Sequence, residues 1–355
     1  MIDFRYHIVS LISVFLALAV GIALGAGPLK ETIGDTLTGQ VQQLRSEKDS
    51  LRTQLDDANG DLADATTYID ATAGRLLPDA LPGRRVAVVL LGDVPAKQHG
   101  AIDDRLAQAG ATVSAEVTLG ASWTDPAQRS YRQALVSQML PHMQTQPDAT
   151  ASVDEQLATA LVEGLVRADP ADPDALDDDS HDLLDILSSK SAGTPLVTVK
   201  KAVTAPADAI VVLAVPTEAS TEAAAQASPA PSTETVAAQL AVLVAAQRYS
   251  TGAVLADGPR GSGSLTDAVL ADDALADTVT TVSSTDQVPG QVSVPLALAA
   301  RIAAANGHYG FGDGETPLPP AADLQPIDRV PSADTGTVPP TSTAPATTPA
   351  TTGAH

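Results

Sequence analysis

The sequence predicts a tethered α/β protein. It reads as a single N-terminal transmembrane helix, a coiled-coil stalk, a mainly parallel-sheet α/β domain and a disordered Pro/Thr-rich tail. Three observations predict this. A run of 22 uncharged residues, Ile8–Leu29, stands near the start of the chain. A 3.5-residue apolar repeat follows it. Beyond Arg84, short aliphatic runs alternate with helical patterns, as strands and helices do in layered domains. The implied divisions are 1–29 for the cytoplasmic N-terminus and span, 30–77 for the stalk, 84–314 for an extracytoplasmic domain and 315–355 for the tail.

At ~1.5 Å per residue the uncharged run is long enough to cross ~30 Å of hydrocarbon. Ser10 and Ser13 are its only polar side chains. Arg5 precedes it, and Lys30, Glu31 and Asp35 follow. Arg5 and the amino terminus favour a cytoplasmic N-terminus, which puts the bulk of the chain outside the cytoplasm. A cleaved signal peptide is the alternative, with Ala23 and Gly25 forming a small-x-small site. The run exceeds the ~7–15 residues of a usual signal core, which favours an uncleaved anchor.

In the stalk, one seam reads Val41, Lys48, Leu55, Leu62, Ile69 and Leu76, and the other reads Leu37, Leu44, Leu51, Ala58, Ala65 and Thr72. Apolar residues at this spacing keep one stripe facing a partner helix, so a homo-oligomer is expected. The alternative is an amphipathic helix packed on its own domain. Lys48 must snorkel out of the seam, which favours a low oligomer number. Pro78 and Pro82 set the stop.

Arg84–Gly92 is an aliphatic strand run, Ala101–Ala109 is helical, and Gly110 precedes a second strand at Thr112–Leu119, which together make a βαβ unit. Helices are expected at Pro126–Leu140, Val153–Arg167, His181–Ser188, Thr233–Arg248, Ser264–Leu270 and Val292–Asn306. Strands are expected at Leu196–Val199, Ala209–Val215, Ala253–Ala256 and Thr278–Val282. Such alternation argues for a parallel sheet covered on both faces. Thr217–Ser232 reads as a surface loop. Residues 331–355 hold five Pro and eight Thr with Asp334 the one acidic residue, a composition that buries no core.

Composition excludes several functions. Twenty Lys+Arg face 43 Asp+Glu, so no basic footprint exists for a nucleic-acid partner. Cysteine is absent, which removes disulfides, thiolate metal sites and thiol catalysis. The sequence carries no metalloprotease HExxH and no G-x-S-x-G elbow, so the chain reads as a non-enzyme.

The N-terminal stretch containing DFRYHIVSL (Asp3–Leu11) resembles the amino terminus of the MctB family of actinobacterial copper transport proteins. GHYGFGDG (Gly307–Gly314) is similar to that family's closing Gly-His-Tyr-Gly element. The likeness runs from Met1 to about Gly314 and leaves out the tail. It implies an envelope protein serving copper efflux and described as pore-forming. A copper ion is then the transported substrate, no cofactor is firmly indicated, the outer membrane is a possible location and envelope proteins are possible partners.

Copper raises the question of ligands. The soft cluster is Met139-Leu-Pro-His142-Met143, whose spacing would put two thioethers and an imidazole on one helical face, although Pro141 disturbs that helix. Asp169–Asp185 holds eight Asp around His181, a possible weak site for Ca²⁺ or Cu(II), with a solvated acidic loop as the plainer reading. Gly258–Ser264, between a strand and a helix, suits a phosphate cradle, with Asp257 against it. His99, His142, His181 and His308 are scattered. GHYGFGDG reads as a tight lock against the sheet, with Tyr309 and Phe311 as plugs. A non-catalytic, membrane-tethered dimeric scaffold or partner-binding domain is the alternative to copper transport.

Overall fold

The computed structural model describes residues 4–26, 28–148, 150–190, 194–215, 232–261, 263–327 and 329. The chain divides into two units, Met1–Tyr68 and Ile69–His355. In the first, helix α1 (Phe4–Ala26) has 23 residues and no basic or acidic residue after His7. Every side chain from Phe4 to Leu24 is exposed, as suits a lipid environment. Helix α2 (Pro28–Leu76) has 49 residues and ends two residues before Pro78, which cannot continue it. Its seam is exposed, with Leu44 at 63%, Leu51 at 64% and Leu62 at 64% of full accessibility.

The second unit is a seven-stranded sheet. Its strands are β1 (Arg85–Leu90), β2 (Thr112–Leu119), β3 (Val197–Lys201), β4 (Ala209–Leu213), β5 (Ala253–Ala256), β6 (Thr280–Val282) and β7 (His308–Tyr309), in the order β3-β2-β1-β4-β5-β6-β7. All neighbours pair in parallel except β2 and β3. β4, β5 and β6 are buried throughout because helices cover both faces, which explains the unbroken aliphatic character of β4 and β5. Edge strand β3 ends in Lys200 and Lys201, charges that discourage pairing with another chain.

One face is covered by α4 (Arg129–Met139), α5 (Val153–Val166), α6 (Asp178–Ser188) and α7 (Thr233–Tyr249), which build a core around Val89, Val117, Leu161, Leu187 and Val212. The other is covered by α3 (Ala96–Gln108) and α10 (Val288–Ile302), with Ala73 and Leu77 joining Val86, Val88, Leu106 and Leu298. Two short helices, α8 (Leu265–Leu270) and α9 (Asp273–Ala276), connect β5 to β6. Ser152 and Glu155 form a reciprocal capping box on α5.

Several expectations need correction. Helix α3 starts at Ala96 and not at Ala101, because Pro95 opens it and Gly100 is tolerated inside. Likewise α10 starts four residues early and ends at Ile302. The GHYGFGDG segment contributes β7, and while Tyr309 is buried, Phe311 is 65% exposed and plugs nothing. The segment from 315 to 329, expected to be part of the disordered tail, makes contacts with the domain. Thr316 donates its N–H to the His308 carbonyl, Arg84 reaches the Gln325 carbonyl, and Arg329 pairs with Asp208. These contacts hold the segment through Arg329 against the domain. The loop read at Thr217–Ser232, apart from Ser232, lies outside the described residues, as do residues 330–355.

Candidate metal centre

The soft donors stand in different surroundings. Met139 closes α4 and is fully buried in the core, and Met143 is also buried there. Both thioethers pack among Leu and Val, as methionine does when it fills gaps. His142 lies on a 3₁₀ turn (Leu140–His142) that contains Pro141. The Nδ1 stands 3.1 Å from Asp179 and 3.3 Å from Asp182. His181 lies on α6 and is exposed.

The Asp-rich run is not simply a solvated loop. Asp177 caps α6 by accepting from the Ser180 N–H, and Asp178 and Asp179 stand in the first turn, where the helix dipole favours negative charge. Arg167 pairs with Asp177 and, at 2.7 Å, with Asp179, and also donates to the His142 carbonyl. The hydrogen bonds from His142 and Arg167 hold the Asp179 carboxyl below its usual range. His142, Asp179 and Asp182 lie close enough together to share an ion. However, Arg167 already supplies the opposing charge, and each group is partnered.

The phosphate cradle is closed. Asp257 is fully buried and accepts from the backbone N–H of Gly258 at 2.8 Å and of Thr266 at 2.9 Å. Its carboxylate occupies the place an anion would take, and burial pushes its pKa up. Arg260 is bound to Asp267. His308 is structural as well, with Nδ1 3.0 Å from the Thr281 hydroxyl and Nε2 3.1 Å from the Ala276 carbonyl.

A second cluster escaped the sequence reading. His99 and Asp103, four residues apart on α3, meet Glu116 of β2, and the three ligating groups lie within 4.8 Å of one another. His99 Nδ1 stands 3.5 Å from Glu116 Oε1. Burial, then the neighbouring Glu116 carboxylate, raises the Asp103 pKa to about 6. Among the described residues these are the two clusters of this kind.

The model of a family described as copper transport outer membrane protein, MctB, matches residues 1–320. The chain belongs to the MctB family. Among its relatives is the copper transporter MctB of Mycobacterium tuberculosis (strain ATCC 25618 / H37Rv), 28% identical over 324 residues that cover 88% of this chain and 98% of the relative. The protein of the same name from Mycobacterium bovis gives the same figures. That from Mycobacterium leprae is 28% identical over 337 residues, 90% of this chain and 99% of the relative. Both stretches that carry the sequence resemblance, Asp3–Leu11 and Gly307–Gly314, fall inside the match to the MctB family.

Proposed function

We propose that this chain is an envelope-anchored copper transport protein serving copper efflux. The observation that carries the reading is the extent of the family match, which takes in both the apolar span and the folded domain. The layout as a whole is therefore shared with relatives named copper transporters. Helix α1 is the anchor, with the N-terminus cytoplasmic and the domain outside. Helix α2 joins copies through its exposed seam. The chain is non-catalytic, and copper is its cargo. The sheet is packed with side chains on both faces, so copper passes through assembled α1 helices or a recruited partner and not through the domain.

Deleting the gene should make cells copper-sensitive. The intact chain should restore growth, and a chain lacking residues 1–30 should not. Unchanged copper tolerance after deletion would overturn the reading. Mass spectrometry of the native N-terminus tests the anchor: a mature chain beginning near Ala26 rules it out. Fractionation decides between inner and outer membrane. The packed sheet also favours a second reading, a tethered scaffold that binds an envelope partner. Ion conductance of the purified oligomer in a planar bilayer separates the two, since a scaffold conducts nothing.

A further inference from the structure

We propose that His99, Asp103 and Glu116 form an exchangeable binding site for a divalent transition-metal ion, with Cu²⁺ its preferred occupant. This inference rests on the side-chain geometry of the domain and not on the transport reading.

The backbone places the donors. Helix α3 puts His99 and Asp103 one turn apart on one face. Along β2, Ala115, Val117 and Leu119 point into the core on the opposite side of the sheet. Alternation therefore turns Glu116 and Thr118 toward α3. One imidazole nitrogen and two carboxylate oxygens converge within 4.8 Å, a spread that closes on an ion at the ~2.0–2.2 Å typical of such ligands.

A second observation marks the place as unfinished without a ligand. His99 Nδ1 and Asp103 Oδ1 are shielded from solvent and have no hydrogen-bond partner. The same holds for the hydroxyls of Ser114 and Thr118, which flank Glu116 on β2. Buried polar groups are nearly always paired, so two unpartnered atoms within one three-residue cluster need an explanation. The cluster around His142 shows the contrast, because Arg167 neutralises it. Lys201, the cross-strand neighbour of Glu116, has its ammonium engaged with the Val113 carbonyl.

The donor set selects the ion. Without sulfur it is unsuited to Cu(I), and the mixed nitrogen and oxygen ligands suit divalent first-row metals, among which Cu²⁺ binds most tightly. Three protein ligands leave positions open to water, the mark of a site that exchanges its ion. His99 and Glu116 side chains are 22% and 13% exposed, so an ion can enter.

The test is calorimetric titration of the untagged, full-length chain in detergent with CuCl₂ and with ZnCl₂, without reductant. One Cu²⁺ per chain should bind, more tightly than Zn²⁺. His99→Ala and the near-isosteric Glu116→Gln should each weaken Cu²⁺ at least tenfold. The electron paramagnetic resonance spectrum of bound Cu²⁺ should show coupling to one imidazole nitrogen, lost in His99→Ala and kept in His142→Ala. If His99→Ala fails to fold, Glu116→Gln and the wild-type spectrum decide alone. Absence of Cu²⁺ binding by the wild type overturns the site, as does unchanged affinity in a folded Glu116→Gln variant.

Discussion

Replacing Leu44 and Leu55 together by Asp is expected to separate the stalk into single chains. Leu37, Val41, Leu44, Leu51, Leu55 and Leu62 are 44–64% exposed. Full burial of one such side chain is worth about 1.5–3 kcal/mol, so covering the exposed part gives about 1–2 kcal/mol each. Six of them supply roughly 6–12 kcal/mol per chain, set against the entropy of association. The two substitutions remove about 2–4 kcal/mol of that, and two carboxylates must also be desolvated, at a cost of several more. A surplus of that size, if it holds copies together as proposed, does not survive such a loss. The absence of cysteine makes the assay clean, because Leu51→Cys introduces the only thiol. Oxidation of that variant should double its mass on a non-reducing gel. The same thiol beside Leu44→Asp and Leu55→Asp should stay monomeric, and so should Gln54→Cys, which lies off the seam. Equal yields at residues 51 and 54, or crosslinking that survives both Asp substitutions, would refute the seam.

Three further outcomes follow from the folded domain. Under reducing conditions a Cu(I) chelator should strip the chain completely, and Met139→Leu with Met143→Leu should change stability by no more than about 1.5 kcal/mol each, because both thioethers serve packing; submicromolar Cu(I) retention lost in that variant would contradict this. Gly310→Ala should lower the melting temperature, by roughly 1–3 kcal/mol of stability, since its Cβ would sit 2.1 Å from Ser283 Oγ and 2.3 Å from Glu315 Oε2; an unchanged melt would show that the turn gives way. Burial holds the His308 pKa below its ordinary 6.5, so the unfolded chain binds more protons than the folded one. The His308 contribution to stability should then be fully present above pH 6.5 and decline as pH falls below it, so between pH 7.5 and 5.5 His308→Gln should lose less stability in urea denaturation than the parent chain.

The sequence by itself determined the layout: the span, the stalk, the βαβ start and a parallel sheet covered on both faces. These follow from local periodicity, since a lipid-facing helix, a seam and a doubly covered strand each force a repeating choice of side chains over many residues. The long aliphatic runs of β1 and β4 could hardly be anything else. The chemistry was not legible in the same way. Met139, His142 and Met143 are neighbours in sequence, yet Pro141 ends the helix between them and the core claims both thioethers. Asp257 looked like an obstacle to a phosphate and proved to be the group that fills the loop. With a helix expected only from Ala101, His99 counts among four scattered histidines. Once α3 begins at Ala96, His99 and Asp103 share a face. Their partner Glu116 comes from the next strand, on the side of the sheet that faces α3. Only tertiary structure decides such a meeting, because a cluster drawn from two elements is fixed by how they pack and leaves no period in the chain.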